Sequence, residues 1–423
     1  MLKPIQITSA TLCILTLALA PVLPAQSSAN NDDTKAQMAI EALGGRVIRL
    51  SDAPGMPIIS VDFSKTNVTD AGLKLLADLK SLQHLNLHET KVTDTGLKEL
   101  ANLTSLQILH LGDTKVTDIG LKSLARLENL QTLDLSETAM TNAGLKELAG
   151  FTSLQTLYLS DTQITDAGLK ELDGLTSLVA LHLSETDVTD AGLKSLANLK
   201  NLQVLNIDST NVTGPGLKHL AGLKHLETLY LGETKITDAG LKELAALTSL
   251  HELDLFFTSV TDKGLKELAV LKNLKKLVLT STPVSDAGLK ELAGLTNLSA
   301  LYLDDTELTD AAFKELANVR SLHTLDLSST NVKGAGLSQL AALKHLQYLY
   351  LGDTSVTDAA LKELASLTSL EVLYLGETSV SDAGLKELTA LKNLRSLYLY
   401  NTKVSEAGAA AFRRALPECF ITR

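Results

Sequence analysis

Leucines fall at one spacing for most of the chain. Leu79, Leu103, Leu127, Phe151 and Leu175 are each 24 residues apart, and the series continues to Leu391 without an insertion. The unit from Leu175 reads LTSLVALHLSETDVTDAGLKSLAN. A degenerate copy, Gly55 to Asp78, precedes the series and brings the number of units to fifteen. Two periodicities inside a unit assign its parts. Leu85 and Leu87 alternate with His84, Asn86 and His88, which predicts a short strand with two side chains inward and three outward. Thr90 and Val92 follow in a tight turn, and Asp94 is placed to cap a helix start. Leu97 and Leu100, three apart, share one helical face, while Lys98 and Glu99 point to water.

A helix of about two turns is not stable alone. Stacked on its neighbours it becomes so, because Leu79, Leu82, Leu85, Leu87, Val92, Leu97 and Leu100 turn inward as one slice of a continuous core. Successive strands then pair in parallel about 4.8 Å apart, and fifteen of them trace an inner arc of roughly 70 Å. Helices are thicker than strands, so the stack bends with strands inside and helices outside. A length of 423 residues would ordinarily mean two or three domains. Here each slice touches only its neighbours, and one elongated domain is expected.

Three columns recur with the period. A threonine stands at Thr66, Thr90 and every 24 residues to Thr402, where its hydroxyl is expected to bond the backbone of the adjacent turn. Fifteen equal copies do not make a catalytic array, since a nucleophile needs one activated copy beside a base. Glycine at Gly72, Gly96 and Gly120 is expected to allow close approach of helix to core, although Ala312 and Ala360 replace it in two units. Lysines from Lys74 to Lys314 form a solubilising row on the helical face.

The units resemble leucine-rich repeats, with the pattern LxxLxxLxLxxT and a TDxGLxxL second half similar to the ribonuclease-inhibitor-like and cysteine-containing subclasses. Threonine stands where most such families place asparagine or cysteine. The likeness covers about residues 35 to 416, and with the AIEALGG segment it extends to exported bacterial repeat proteins, notably of planctomycetes. It implies an α/β solenoid, a right-handed horseshoe with a parallel sheet on the concave face and short helices on the convex face. It implies a scaffold that binds proteins, as adhesins, effectors and inhibitors of this type do, and it implies no particular ligand.

The ends depart from the repeat. Residues 1–25 read as a secretory signal peptide: Lys3, an apolar run from Thr11 to Ala20, and small residues near Ala25 to Ala29. That run is shorter than the ~20 residues a membrane span needs, so the mature chain is expected outside the membrane, secreted or periplasmic. Residues 26–54 form a linker and amino-terminal cap, with a helix over Lys35 to Leu43, a stop at Gly44-Gly45 and an extra strand at Val47 to Leu50. The solenoid spans 55–408. Residues 409–423 form the other cap, with Leu416, Cys419 and Phe420 expected to cover the last slice. Removal of the leader leaves Cys419 alone, so no internal disulfide is available and packing must hold the fold.

A net charge of -11 opposes nucleic-acid binding. No glycine-rich phosphate loop, HExxH, CxxC or nucleophile elbow is present, and neither an enzyme nor a cofactor is expected. What varies between units is the outward side of the strands. Aromatics are only 4% of the chain, yet all eight tyrosines fall there, five of them, Tyr348, Tyr350, Tyr374, Tyr398 and Tyr400, on the last three strands. Tyr350, Tyr374 and Tyr398 share a register, Asp326 precedes them, and Asp353 and Glu377 border them. An aromatic centre with an acidic rim is the composition of an interface hot spot, so this patch is the expected protein-binding site. Phe256 and Phe257, about four strands away, are a second candidate contact. Exposed rings also stack on sugars, which leaves carbohydrate or cell-envelope binding as the alternative.

Two further groups were weighed for metal. Glu89, Asp113, Glu137, Asp161 and Glu185 form a registered acidic row. No compact loop offers the six or more oxygens that calcium takes. His88 and His110, near His84, Asn86 and Asp134, carry zinc-type ligands but spread over a surface, so no metal is expected. His182 reads as alone, and His219, His225, His251, His323 and His345 as without evident partners.

Overall fold

The computed structural model describes residues 31–50 and 57–423. The leader and the first residues of the linker lie outside the described residues. Seventeen strands form one open sheet. Fifteen of them, from Ile58–Asp62 to Ser396–Tyr398, belong to the repeats and run parallel in strict register, so that Leu85 pairs with Leu109 and Leu109 with Leu133. The leucines assigned inward are fully buried, Leu85, Leu87, Leu97 and Leu100 among them, and they join into one core along the whole stack. Each convex segment is short, as in Asp94–Leu97 continued by a 3-10 turn at Lys98–Leu100. This is the α/β leucine-rich repeat solenoid.

The tie between neighbouring units differs from expectation. Asp94 does not cap its own helix. Thr93 does, its Oγ1 accepting from the Thr95 amide at 3.2 Å. The aspartate instead reaches the next unit: Asp70 accepts from the Thr93 amide at 2.8 Å and from the Thr93 hydroxyl at 2.7 Å. The recurrent glycine eases this, for a Cβ on Gly96 would lie 2.5 Å from Asp70 Oδ1, although Asp286 makes the same tie to Thr309 in the unit that carries Ala312. It clears room for a carboxylate and, as expected, for the core beside it, since the same Cβ would lie 3.0 Å from Leu73 Cδ1. The buried threonines also act within their own unit. Thr90 Oγ1 donates to Leu87 O at 2.7 Å, not to the adjacent turn, and the same bond recurs in every repeat from Thr66 to Thr402.

The aspartate tie is absent at two junctions. Gly214 and Gly334 stand where the others have Asp or Asn, both with positive φ (122° and 97°). Thr237 and Thr357, one unit on, consequently have no carboxylate to receive them and make no side-chain cap. Asp190 and Asp310 wrap the irregular turns from the preceding side, accepting from the Gly214 and Gly334 amides. At the second junction Glu363 reaches back to the Gly336 and Ser338 amides at 2.9 and 3.1 Å. At the first, Gly214 lies backbone to backbone on Gly240. Ala360 is tolerated because it faces Gly334 and has no aspartate to accommodate.

The acidic row is also a backbone feature. Every residue of that column, from Lys65 through Glu89, Asp113 and Phe257 to Asn401, has φ between 49° and 61°. The left-handed region is costly for side chains branched at Cβ, and the column carries none. Its amides continue the strand ladder, with the Glu89 N–H donating to Gly112 O at 2.9 Å.

Both ends are closed by strands. The amino-terminal helix runs over Asn31–Ala42, beginning a turn earlier than the expected start at Lys35. Gly44 (φ 86°) turns the chain into Arg46–Arg49, which pairs antiparallel with Ile58–Asp62. At the other end Glu406–Ala415 leads to a strand not foreseen, Phe420–Thr422, paired parallel to Ser396–Tyr398. Leu416 and Cys419 are buried as expected. Phe420 is not: strand alternation sends Ile421 into the core and leaves Phe420 62% exposed.

Hydrogen exchange will test the missing ties. The Thr237 amide is expected to exchange faster than those of Thr189 and Thr261, which donate to Asp166 and Asp238 at 2.8 Å. Equal protection would show that the aspartates add nothing to the junctions. Replacing one tie, Asp166→Ala, is expected to cost about 1–3 kcal/mol in urea unfolding, since it strands the Thr189 amide and hydroxyl.

Candidate functional site

From His84–Asn86 onward each repeat strand is three residues long, and its central leucine points into the core. The two flanking side chains stand on the concave face. The later of the two forms a continuous row of unlike chemistry. Toward the amino end it carries Asn86, His110, Asp134, Tyr158 and His182. The middle carries Tyr230, Asp254, Tyr302 and Asp326, and the end Tyr350, Tyr374 and Tyr398.

Four of the predicted tyrosines come together. Tyr350 and Tyr374 have ring centroids 6.0 Å apart, and Tyr374 and Tyr398 5.5 Å. Tyr400 meets Tyr374 edge-on at 5.3 Å. These separations suit aromatic pairing. Two glycines make the arrangement fit. A Cβ on Gly352 would lie 2.7 Å from the Tyr374 ring, and one on Gly376 2.6 Å from the Tyr400 ring. Each ring therefore lies across the bare backbone of the preceding strand exit. Tyr348 stands at the other outward position, 36% exposed, and Asp326 is the register neighbour of Tyr350. Asp353 and Glu377 sit exposed in the positive-φ column, with Asp353 accepting from Ser329 Oγ at 3.2 Å. Phe420, beside Ser396, adds an aromatic that the sequence reading had placed over the core.

Phe256 and Phe257 contact each other at 6.3 Å, four strands from Tyr350. The Phe256 ring covers Gly232 as the tyrosine rings cover their glycines. Phe257 is the one aromatic residue in the positive-φ column and is 64% exposed.

Around these phenylalanines lies a group of carboxylates, of which sequence reasoning named Asp326 and missed Asp208, Asp254 and Asp304. Asp208 accepts from the Gly232 amide, beside the Phe256 ring that covers the same glycine. Burial, then Asp254 and Glu233, push Asp208 up to about 7, against hydrogen bonds from the Gly232 amide (2.6 Å) and Asn206. Burial raises Asp254 to about 6, with Glu252 and Asp304 adding to it and the Phe256 amide and Lys276 opposing it. Burial and then Asp304 raise Asp326 to about 6, opposed by Ser328. Asp304 is raised by burial and by Asp305, although Thr280 donates to it at 2.7 Å. Lys276 is held by Glu252 at 2.6 Å, with its Nζ 5.8 Å from the Tyr302 ring centroid.

The histidines are better partnered than expected. His182 is not alone: it stacks on Tyr158 at 4.5 Å, and burial lowers it to about 4. His110 lies 3.4 Å from Asp134. Burial raises Asp134, but bonding to His110 and Ser136 outweighs it and holds the carboxyl below its ordinary range. His251 lies 3.8 Å from Glu227, and His323 stacks on His345 at 5.6 Å. Among the described residues no three His, Cys, Asp or Glu side chains converge as a metal site. Two shallow depressions of about 670 and 520 Å³ lie along the sheet edges, one lined by Gln131, Gln155, Gln203 and His225, the other by Glu185, Ser209 and Glu233. Neither includes the tyrosines, so the candidate site is an open surface.

Fold and face together define a repeat scaffold with a differentiated concave surface, and the chain belongs to the leucine-rich repeat family. The profile described as leucine-rich repeat region matches residues 282–420. Leucine rich repeat profiles match 104–164, 200–260, 174–197 and 270–293, and a two-copy profile matches 80–123. Proteins of this family generally act as protein-binding scaffolds. No curated protein matches the chain. Among solved structures it is similar to a leucine-rich repeat protein of Leptospira interrogans, at 26% identity over 84% of this chain and 95% of that one, with a TM-score of 0.61. An internalin of Listeria monocytogenes aligns at 22% identity over 92% and 94%, TM-score 0.53. The ectodomain of the Arabidopsis receptor kinase HAESA, in complex with a peptide hormone, aligns at 16% over 89% and 82%, TM-score 0.52.

The central carboxylates imply a measurable pH effect. Each binds its proton more tightly in the folded chain than unfolded. The folded state therefore holds more protons between about pH 4 and 7, and stability falls as pH rises through that window. Asp208→Asn removes one buried charge and keeps an acceptor for the Gly232 amide. Its melting temperature is expected to rise by roughly 2–4 °C at pH 8 and to stay unchanged at pH 4. Scanning calorimetry at the two pH values decides, and no rise at pH 8 would refute the penalty.

Proposed function

We propose that this chain is an exported, non-enzymatic scaffold that holds a protein partner against the carboxy-terminal third of its concave face. The observation that carries the reading is the tyrosine group. Tyr350, Tyr374, Tyr398 and Tyr400 form a contiguous aromatic surface, seated by Gly352 and Gly376. Tyrosines used only to cover strand backbone would not need glycines cut to receive them on two successive strands. A tyrosine surface offers large contact area, little conformational entropy to lose and hydroxyls that tolerate water. Asp326, Asp353 and Glu377 supply a polar rim, and Tyr348 and Phe420 widen the apolar part.

The same fold carries a peptide hormone in the HAESA ectodomain, which supports the competence of such a scaffold for peptide or protein ligands. Export rests on the leader read from residues 1–25. No helix among the described residues is long and apolar enough to cross a membrane.

Affinity capture from native envelope extract, followed by mass spectrometry, identifies the partner. In that complex Tyr350→Ala, Tyr374→Ala and Tyr398→Ala together are expected to weaken binding at least tenfold, or ~1.4 kcal/mol, with circular dichroism unchanged. Unchanged affinity would remove this patch as the site. A glycan array run in parallel separates the alternative: saturable glycan binding lost in the same variant would assign the aromatic surface to carbohydrate.

A further inference from the structure

We propose that the middle of the concave face, from strand Val204–Asn206 to strand Thr324–Asp326, receives a cationic, extended segment of the partner protein, with arginine or lysine side chains alternating with apolar ones. This rests on the protein-binding reading above and names the chemistry of the partner next to the tyrosine group.

The first argument is the mismatch of charge on this stretch of sheet. Asp208, Glu252, Asp254, Asp304 and Asp326 share it, and Lys276 is the cation placed among them, already engaged by Glu252 at 2.6 Å. Half-buried carboxylates with a single cation of the chain among them gain most from a cation brought by a partner. The second argument is that the face already holds a cation in the required way. Lys276 lies between the Glu252 carboxylate and the Tyr302 ring, an ion pair beside an aromatic face. Tyr230 and Asp254, register neighbours, set a second ring and carboxylate side by side, with Glu252 hydrogen-bonded to Tyr230.

The third argument concerns Phe257. An exposed phenylalanine with φ of 51°, in a column otherwise made of polar residues, is favoured neither by conformation nor by solvation. With Phe256 lying over Gly232, it provides an apolar wall beside the carboxylates, suited to the stems and flanking side chains of a basic segment.

The geometry limits the occupant. Five strand spacings of about 4.8 Å give roughly 24 Å, the reach of about seven extended residues. A bare divalent ion is disfavoured, because these carboxylates sit on separate strands and do not converge among the described residues. The amino-terminal part of the same row differs: its Asp134 is already partnered by His110 at 3.4 Å, and Tyr158 and His182 follow, so the charge preference is local to the middle.

The test uses the purified chain and three labelled seven-residue peptides that alternate leucine with arginine, glutamine or glutamate. Fluorescence anisotropy is expected to show saturable binding of the arginine peptide, at least tenfold tighter than the glutamine peptide, and none of the glutamate peptide. Asp254→Asn with Asp326→Asn should weaken the arginine peptide at least tenfold, and Phe257→Ser at least threefold. Asp113→Asn with Asp161→Asn changes net charge equally in the exposed row and should leave binding intact. Equal binding of arginine and glutamine peptides, or equal loss in the two aspartate pairs, would overturn the proposal. The captured partner distinguishes the two readings: a loss on the tyrosine substitutions but none on Asp254→Asn with Asp326→Asn keeps the scaffold reading and discards the cationic segment.

Discussion

A slice of 24 residues has no interior of its own, and everything else in this molecule follows from that constraint. Leu85, Leu97 and Leu100 reach zero exposure only because the slices on either side cover them. Polar groups at each junction must therefore be satisfied across it. The strand ladder does this on the concave side. On the convex side a carboxylate from one unit receives the amide and hydroxyl of a threonine in the next. The glycine of the next unit leaves the space that this carboxylate fills. Aspartate, threonine and glycine thus form one device spread over two units, and none of the three is intelligible within a single repeat.

Because the core and the junctions are fixed by these residues, the outward strand positions are free of structural duty. Variation there costs the fold little, so chemistry can change from one strand to the next: histidine and tyrosine, then carboxylate, then tyrosine. The backbone still imposes one limit. The column that follows each strand must adopt positive φ, which admits polar or unbranched side chains and no Val, Ile or Thr. Its acidity is partly a consequence of that conformation, which weakens any reading of the row as a purpose-built ion rail.

The repeat length, the strand and helix of each unit and its inward leucines were legible in the sequence, because each is a local periodicity. The alignment of Tyr350, Tyr374 and Tyr398 was legible too, since equal spacing in a solenoid becomes equal register. What escaped was every interaction across a junction. Asp94 looked like a cap because capping is local, whereas its actual partner, Thr117, lies 23 residues on. His182 looked solitary because its ring partner, Tyr158, lies 24 residues back. Phe420 was misplaced although the closing strand keeps the 24-residue spacing, which sets Ile421 under Leu397 in the inward column and Phe420 outward beside Ser396. A longer recurrence held part of the missing information. Gly112, Gly232 and Gly352 are 120 residues apart, as are Gly214 and Gly334, and Lys224-His225 returns as Lys344-His345. Five units therefore repeat as a block, and the block marks both the bare backbone under aromatic rings and the junctions without an aspartate.

The central carboxylates belong to the same economy of junctions and faces. Asp254 adds to the burial that disfavours charge on Asp208, where a repeat built only for stability would carry neutral groups. Lys276 shows that the face accommodates a cation without disturbing the sheet, and Tyr230 beside Asp254 sets a second ring and carboxylate next to each other. A solenoid that pins its slices together through buried leucine and a carboxylate ladder has stability to spare on the other side. Destabilising charge and an exposed Phe257 are tolerated there because no core residue depends on them. The concave face can thus hold unsatisfied chemistry in a rigid, registered array, and rigidity matters: groups already in place lose little freedom when a partner binds. That is the physical reason to look for the partner on the strands rather than on the regular row of lysines outside.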